Sequence, residues 1–121
     1  MDSTKKTKTR RRYRRDYSAL KTEFTHAVES LGYVGLGEFS TALGHEPTHF
    51  SNAFRPDTHL TRTRLFFLID ALEKNGASDT VLQRVAHAGV CKLVELAGYA
   101  DVCIVSKVTC LDWVMEEAQT E

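Results

Sequence analysis

At 121 residues the chain has room for one hydrophobic core but hardly for two, and its 42% hydrophobic and 26% charged residues exclude a wholly disordered chain. The formal net charge of zero hides a split: eight Lys or Arg and no acid lie between Lys5 and Arg15, so with Asp2 the first fifteen residues carry +7. Residues 16 to 121 carry eight basic and fifteen acidic side chains, or −7. Such asymmetry is the mark of a basic arm for a polyanion on a neutral or acidic body.

No stretch approaches the roughly 18 continuous apolar residues of a membrane span, and no apolar run follows the charged N-terminus as in a signal peptide. A cytoplasmic protein without a membrane partner is therefore expected. The three cysteines, Cys91, Cys103 and Cys110, are odd in number, sit in apolar stretches and lack CxxC spacing, so they read as small buried hydrophobes in a reducing compartment.

Residues 1–16 (MDSTKKTKTRRRYRRD) contain Tyr13 but no aliphatic side chain, and a flexible arm is expected there. From Tyr17 onward Leu20, Phe24, Ala27, Val28 and Leu31 recur at helical spacing, with Gly32 as the stop. A two-turn helix follows on Leu36, Phe39 and Leu43, closing on Gly44. In HEPTHFSNAFRP, Pro47 suits the first turn of a helix, with Glu46 or His45 capping it, and Pro56 ends it at Arg55. Thr61 caps TRTRLFFLIDALEKNG, whose Leu65, Leu68, Ile69 and Leu72 point inward and which stops at Asn75-Gly76.

A fifth helix is expected from Asp79 to Leu96, with Val81, Leu82, Val85, Ala88, Val90, Leu93 and Val94 as its apolar positions. Beyond Gly98, Val102 to Val108 is β-branched enough to suit a strand. However, Ile104, Val108, Leu111, Met115 and Ala118 step by four and three, so a C-terminal helix is expected. The fold class is all-α, with about five to six helices: a disordered basic arm over residues 1–16, a helix-turn-helix domain over 17–98, and a C-terminal helix over 99–121 available for oligomerisation. Ile104, Val108, Leu111 and Met115 are the candidate subunit interface, with closure of the chain's own core as the alternative.

Two short helices joined by a glycine turn are the mark of a helix-turn-helix. Ser40, four residues before Gly44, supplies the small residue wanted where the helices cross, and His45 stands where an apolar residue is common. If Phe50, Ala53 and Phe54 are buried, then Glu46, Thr48, Ser51, Asn52 and Arg55 face outward. Asn can pair bidentately with adenine, Arg with guanine, and Ser or Thr can serve a base or a phosphate. Lys5, Lys6, Lys8, Arg10, Arg11, Arg12, Arg14 and Arg15 would follow the phosphate backbone or enter a minor groove.

The stretch from Leu36 to Leu96 resembles the CII-type regulatory proteins of temperate phages, small helix-turn-helix transcription regulators. The likeness rests on LG followed by P-T-x-F-x-N-x-F with a further Pro (Pro47, Thr48, Phe50, Asn52, Phe54, Pro56), on His59-Leu60-Thr61 leading into an apolar helix, and on a D-x-x-L-x-x-V helix from Asp79. It covers about half the chain and leaves the arm and the tail after Gly98 unmatched. What it implies is a regulator that places Thr48, Ser51, Asn52 and Arg55 on double-stranded operator DNA and acts as a homodimer or higher homo-oligomer. The host transcription machinery is a further candidate partner.

Rival chemistries carry less. HEPTH matches HExxH literally, but Pro47 starts the helix inside the motif and removes the i, i+4 placement of His45 and His49 that a zinc site needs. His87 and Cys91, also four apart, have no further ligands nearby in sequence. No GxSxG elbow occurs, and SLGYVGLGEF lacks the GK[ST] of a phosphate loop. No catalytic residue, metal or cofactor is expected. Two alternatives from other classes stand beside DNA binding: KTRRRYRR resembles arginine-rich segments that fold on RNA, and the acids Glu38 and Glu46 flanking the reading segment would suit a protein-protein interaction module.

Overall fold

The computed structural model describes residues 15–96 and 107–116. Within them the protein is all-helical: α1 (Ser18–Ser30), α2 (Leu36–Ala42), a 3-10 turn (Ser51–Phe54), α3 (Arg62–Lys74), α4 (Asp79–Leu96) and α5 (Lys107–Met115). No strand occurs among the described residues. Most of the arm, from Lys5 to Arg14, and the positions Ile104 and Ala118 lie outside them.

The helices end where the backbone punctuation says they should. Gly44 sits at φ +85, a left-handed conformation that costs a side chain with a Cβ about 1–2 kcal/mol; it lets the chain leave α2 with the Gly44 N–H on the Thr41 carbonyl and the His45 N–H on that of Ser40. Gly32 and Gly76 close α1 and α3 in the same conformation. At the other end of α3, the Thr61 hydroxyl accepts the Arg64 N–H at 3.1 Å, as its capping role requires.

The core is one cluster. The apolar period of α1 buries Leu20, Phe24, Ala27 and Val28, and that of α3 buries Leu65, Leu68, Ile69 and Leu72. The long helix α4 packs against α1, α3 and α5. Its approach to α3 depends on Gly89, where an added Cβ would lie under 3.0 Å from both methyl carbons of the fully buried Leu65. Replacing a helical glycine with alanine gains up to about 1 kcal/mol of propensity, but the overpacking of a closed core costs about 1–3 kcal/mol. Gly89→Ala is therefore expected to lower stability by about 1–2 kcal/mol in denaturant unfolding. A rise in stability would show that α3 and α4 can separate at no cost.

Two boundaries differ from the sequence reading. Arg15 and Asp16, placed in the arm on sequence grounds, are bonded to the body: the Arg15 N–H donates to the Pro56 carbonyl at 2.9 Å, and the Asp16 carboxylate accepts the Ser18 N–H at 2.9 Å and the Ser18 hydroxyl. Those bonds hold the Asp16 pKa below the ordinary carboxylate value. Tyr17 is 2% exposed; its hydroxyl donates to the Thr58 carbonyl at 2.7 Å and accepts the Leu60 N–H at 3.2 Å. The start of α1 is thereby pinned to the loop after the 3-10 turn.

At the other end, α5 is turned by one position from its expected seam. Cys110 and Val114 are its buried residues, at 1% and 0% exposure, while Leu111 and Met115 pack half-buried beside them against the chain's own core. Burial raises the Cys110 thiol pKa above its usual value. Arg62 secures the helix to α3: its guanidinium lies 4.4 Å over the Trp113 ring and donates from Nε to the Trp113 carbonyl at 3.1 Å.

Candidate nucleic-acid interface

Residues 46–55 do not form the continuous α-helix expected between the two prolines. After Pro47 the chain winds in turns, with His49 N–H on the Glu46 carbonyl and one α-type bond, Asn52 N–H to the Thr48 carbonyl at 2.9 Å; the 3-10 turn then runs only from Ser51 to Phe54. Arg55 is already extended at ψ 146, the conformation a following proline favours. Eight residues between two prolines leave too few internal N–H donors for a cooperative helix, so tertiary contacts set the path.

Those contacts are aromatic. Phe24 of α1 sits 5.5 Å from Phe50, 5.5 Å from Phe54 and 6.2 Å from Phe39, and Phe39 is 5.0 Å from Phe50, all in the offset or edge-on arrangements rings prefer. Ser40 makes the polar joint. Fully buried, its hydroxyl donates to the Leu36 carbonyl at 2.7 Å and accepts the Phe50 N–H at 3.3 Å, which ties α2 directly to the second segment. Size alone is what the sequence suggested for Ser40; its hydrogen bond to Phe50 is what the fold adds.

With Phe50 and Phe54 inside, four of the five residues expected to face outward are exposed. Glu46, Thr48, Asn52 and Arg55 are exposed and Ser51 is half-buried. They are not equally available. The Ser51 hydroxyl is engaged with the Thr48 carbonyl at 3.1 Å, and Arg55 Nε lies 3.5 Å from Asp57 Oδ1, an exposed pair worth at most about 1 kcal/mol and easily exchanged for a phosphate or base. Asn52 Nδ2 reaches Thr48 Oγ1 only at 3.5 Å, a marginal bond that leaves its amide edge ready for another partner. Arg15, the last cation of the basic stretch, donates its N–H to the Pro56 carbonyl and so lies next to the end of this segment.

The literal HExxH resolves differently. The His45 and His49 rings stack, 3.8 Å between centroids and 11° between planes, and His49 packs edge-on to Phe50 at 4.8 Å. Stacked imidazoles send their in-plane lone pairs along parallel directions, which do not converge on one ion. No group of three or more His, Cys, Asp or Glu side chains able to hold a metal occurs among the described residues. His87 Nε2 and Cys91 Sγ are 3.7 Å apart on α4.

Burial first, and the neighbouring His45 second, hold the His49 pKa below the ordinary imidazole value of 6.5. A histidine that binds its proton less readily when folded contributes its full stability above the unfolded pKa, and that contribution is lost as pH falls from 6.5 through the lowered folded value. Between pH 7 and pH 5 the thermal midpoint is expected to fall less in His49→Gln than in the unaltered chain. Equal slopes would show that the stacked pair does not resist protonation.

Comparison with known protein families, with curated proteins and with solved structures finds no match. No helix among the described residues is long and apolar enough to cross a membrane.

One feature on this face escaped the sequence reading. Between the second segment and α3 runs a groove of about 570 Å³ with Phe67, Leu68 and Ala71 as its floor and Leu43, Phe50 and Ala53 as its wall. Phe67 is 61% exposed. The signal was the doubled Phe66-Phe67: the inward set Leu65, Leu68, Ile69 and Leu72 leaves Phe67 on a second apolar stripe that the core period does not use.

Proposed function

We propose that the chain is a sequence-specific regulator of transcription that binds double-stranded DNA, reading an operator with Thr48, Asn52 and Arg55 and holding the backbone with its basic arm. The observation that carries the reading is the Ser40–Phe50 joint. It locks two short segments across a glycine turn, buries their apolar faces and leaves an exposed amide and guanidinium, the chemistry of adenine and guanine readout, near Arg15, the last cation of a fifteen-residue stretch that carries +7. The resemblance to CII-type phage regulators points the same way, and on this reading the protein is a binding protein, not an enzyme. Glu46 shares the exposed face, and its favourable partner there is a cytosine amino group.

Self-association belongs to the same proposal. Leu111 and Met115 are partly engaged within the chain, whereas Trp113 and Leu96 are each 39% exposed and offer apolar surface to a second copy.

Selection from a random duplex pool tests the proposal: it is expected to return a consensus, while an RNA pool of equal complexity returns none. On the selected site, Asn52→Ala and Arg55→Ala are each expected to lose about 1–3 kcal/mol of discrimination at one base pair. Equal weakening on the selected site and on random DNA would remove both residues from base readout. Enrichment of RNA alone would move the function to the arm.

A further inference from the structure

Along α3, Arg64, Phe67, Leu68 and Ala71 stand at i, i+3, i+4 and i+7, one stripe of the helix. Its last three members floor the groove, and Arg64 heads it, one turn before Phe67. From Arg64 to Ala71 the stripe spans about 10 Å. The groove is therefore apolar along its length and cationic at one end.

Its remaining polar lining does not cancel that charge. His45, His49, Asn52 and Thr58 complete its polar lining, and no carboxylate lines the groove among the described residues. Arg64 lends its backbone N–H to the Thr61 cap, and its guanidinium makes no ion pair among the described residues. The neighbouring acid on α3, Asp70, is taken by Lys74 at 2.9 Å. A concavity of this volume, mostly apolar in surface with a few polar groups, has the form of a small-molecule site.

We propose that this groove binds a small amphiphilic carboxylate, with its hydrocarbon body against Phe67, Leu68, Ala71 and the Phe50 wall and its carboxylate on Arg64. The head-to-tail order of cation and apolar stripe selects the ligand class. A neutral hydrocarbon would leave the guanidinium unused, and a cation would be repelled by it. A carboxylate takes the planar fork with two charge-assisted hydrogen bonds. This inference is independent of the DNA proposal, because the site is defined without nucleic acid. If both hold, Asn52 borders the groove and the outward set alike and links occupancy to operator contact.

The test is an NMR titration of the full chain with decanoate below its micellar concentration, and with decylammonium as the control of equal length and opposite charge. Decanoate is expected to saturate at one equivalent per chain and to move the backbone amides of Phe50, Ala53, Phe67 and Ala71, with decylammonium about tenfold weaker or more. Arg64→Gln should lower decanoate affinity about tenfold and leave that of decylammonium no weaker. Phe67→Ser, a change at an exposed position, should weaken both. No saturation, equal affinity for the two probes, or shifts confined to another surface would overturn the proposal. So would decanoate binding that Phe67→Ser leaves intact. Loss of binding as protein concentration rises, with a matching increase in sedimentation coefficient, would assign the groove to a second copy of the chain and overturn it as well.

Discussion

Phe24→Ala is expected to lose about 3–5 kcal/mol of unfolding free energy, the upper range for truncating a buried ring. The side chain is wholly buried and contacts the rings of Phe39, Phe50 and Phe54, so one residue of α1 holds both α2 and the 3-10 turn. A domain of this size has about 5–15 kcal/mol in total, so the variant should be close to the edge of folding at 37 °C. Phe24→Leu keeps an apolar side chain and removes the ring contacts, and should cost about 1–3 kcal/mol. The selective consequence matters more than the total. In native-state hydrogen exchange, the amides of Ser51 to Phe54 should lose protection before those of α4, because that segment is held by the aromatic cluster, the Ser40 hydroxyl and the Thr58 hydroxyl on the Asn52 carbonyl and not by a continuous helical ladder. If α4 and the 3-10 turn lose protection together, the cluster is not a local keystone.

Removal of residues 1–14 is the second large effect. It deletes seven cations, Lys5, Lys6, Lys8, Arg10, Arg11, Arg12 and Arg14, and spares Arg15, whose N–H bonds to the Pro56 carbonyl. Each phosphate neutralised contributes about 0.9 to the slope of log affinity against log salt, so the truncated chain should lose up to about six from that slope. Between 50 and 200 mM salt, the full chain would then lose up to about four thousandfold more affinity than the truncated one. The order of preference among DNA sequences should be unchanged, since backbone contacts position the protein without reading bases. An unchanged slope would mean that the arm does not meet phosphate, and a changed preference that it reads bases itself.

Much of the fold was legible before the structure because the cues were local. Gly32, Gly44 and Gly76 stop three helices, Thr61 starts one, and the three-and-four spacing of Leu65, Leu68, Ile69 and Leu72 named a buried face that the structure reproduces without exception. The outward character of Glu46, Thr48, Asn52 and Arg55 was legible too, since Phe50 and Phe54 had to go inside.

Other features depended on what lies opposite in space. Pro47 and Pro56 marked the bounds of the second segment, but its winding was decided by the rings of Phe24 and Phe39, which hold Phe50 in place while too few internal hydrogen bonds remain to impose a helix. In α5 a four-three seam was readable, yet the face it buries is set by α4 and falls on Cys110 and Val114. Tyr17 looked like the first residue after an arm; only the carbonyl of Thr58 and the N–H of Leu60, more than forty residues away, make it an anchor.

The sequence by itself determined α1 to α4 and their ends, the division of charge between a basic N-terminal stretch and an acidic remainder, and the residue types exposed around Asn52, because these follow from backbone preference and period. Only the tertiary structure decided the Ser40–Phe50 joint, the stacking of His45 on His49, and the groove headed by Arg64. Each of these depends on distances between segments that the chain brings together by closing loops, and no local pattern encodes such a distance.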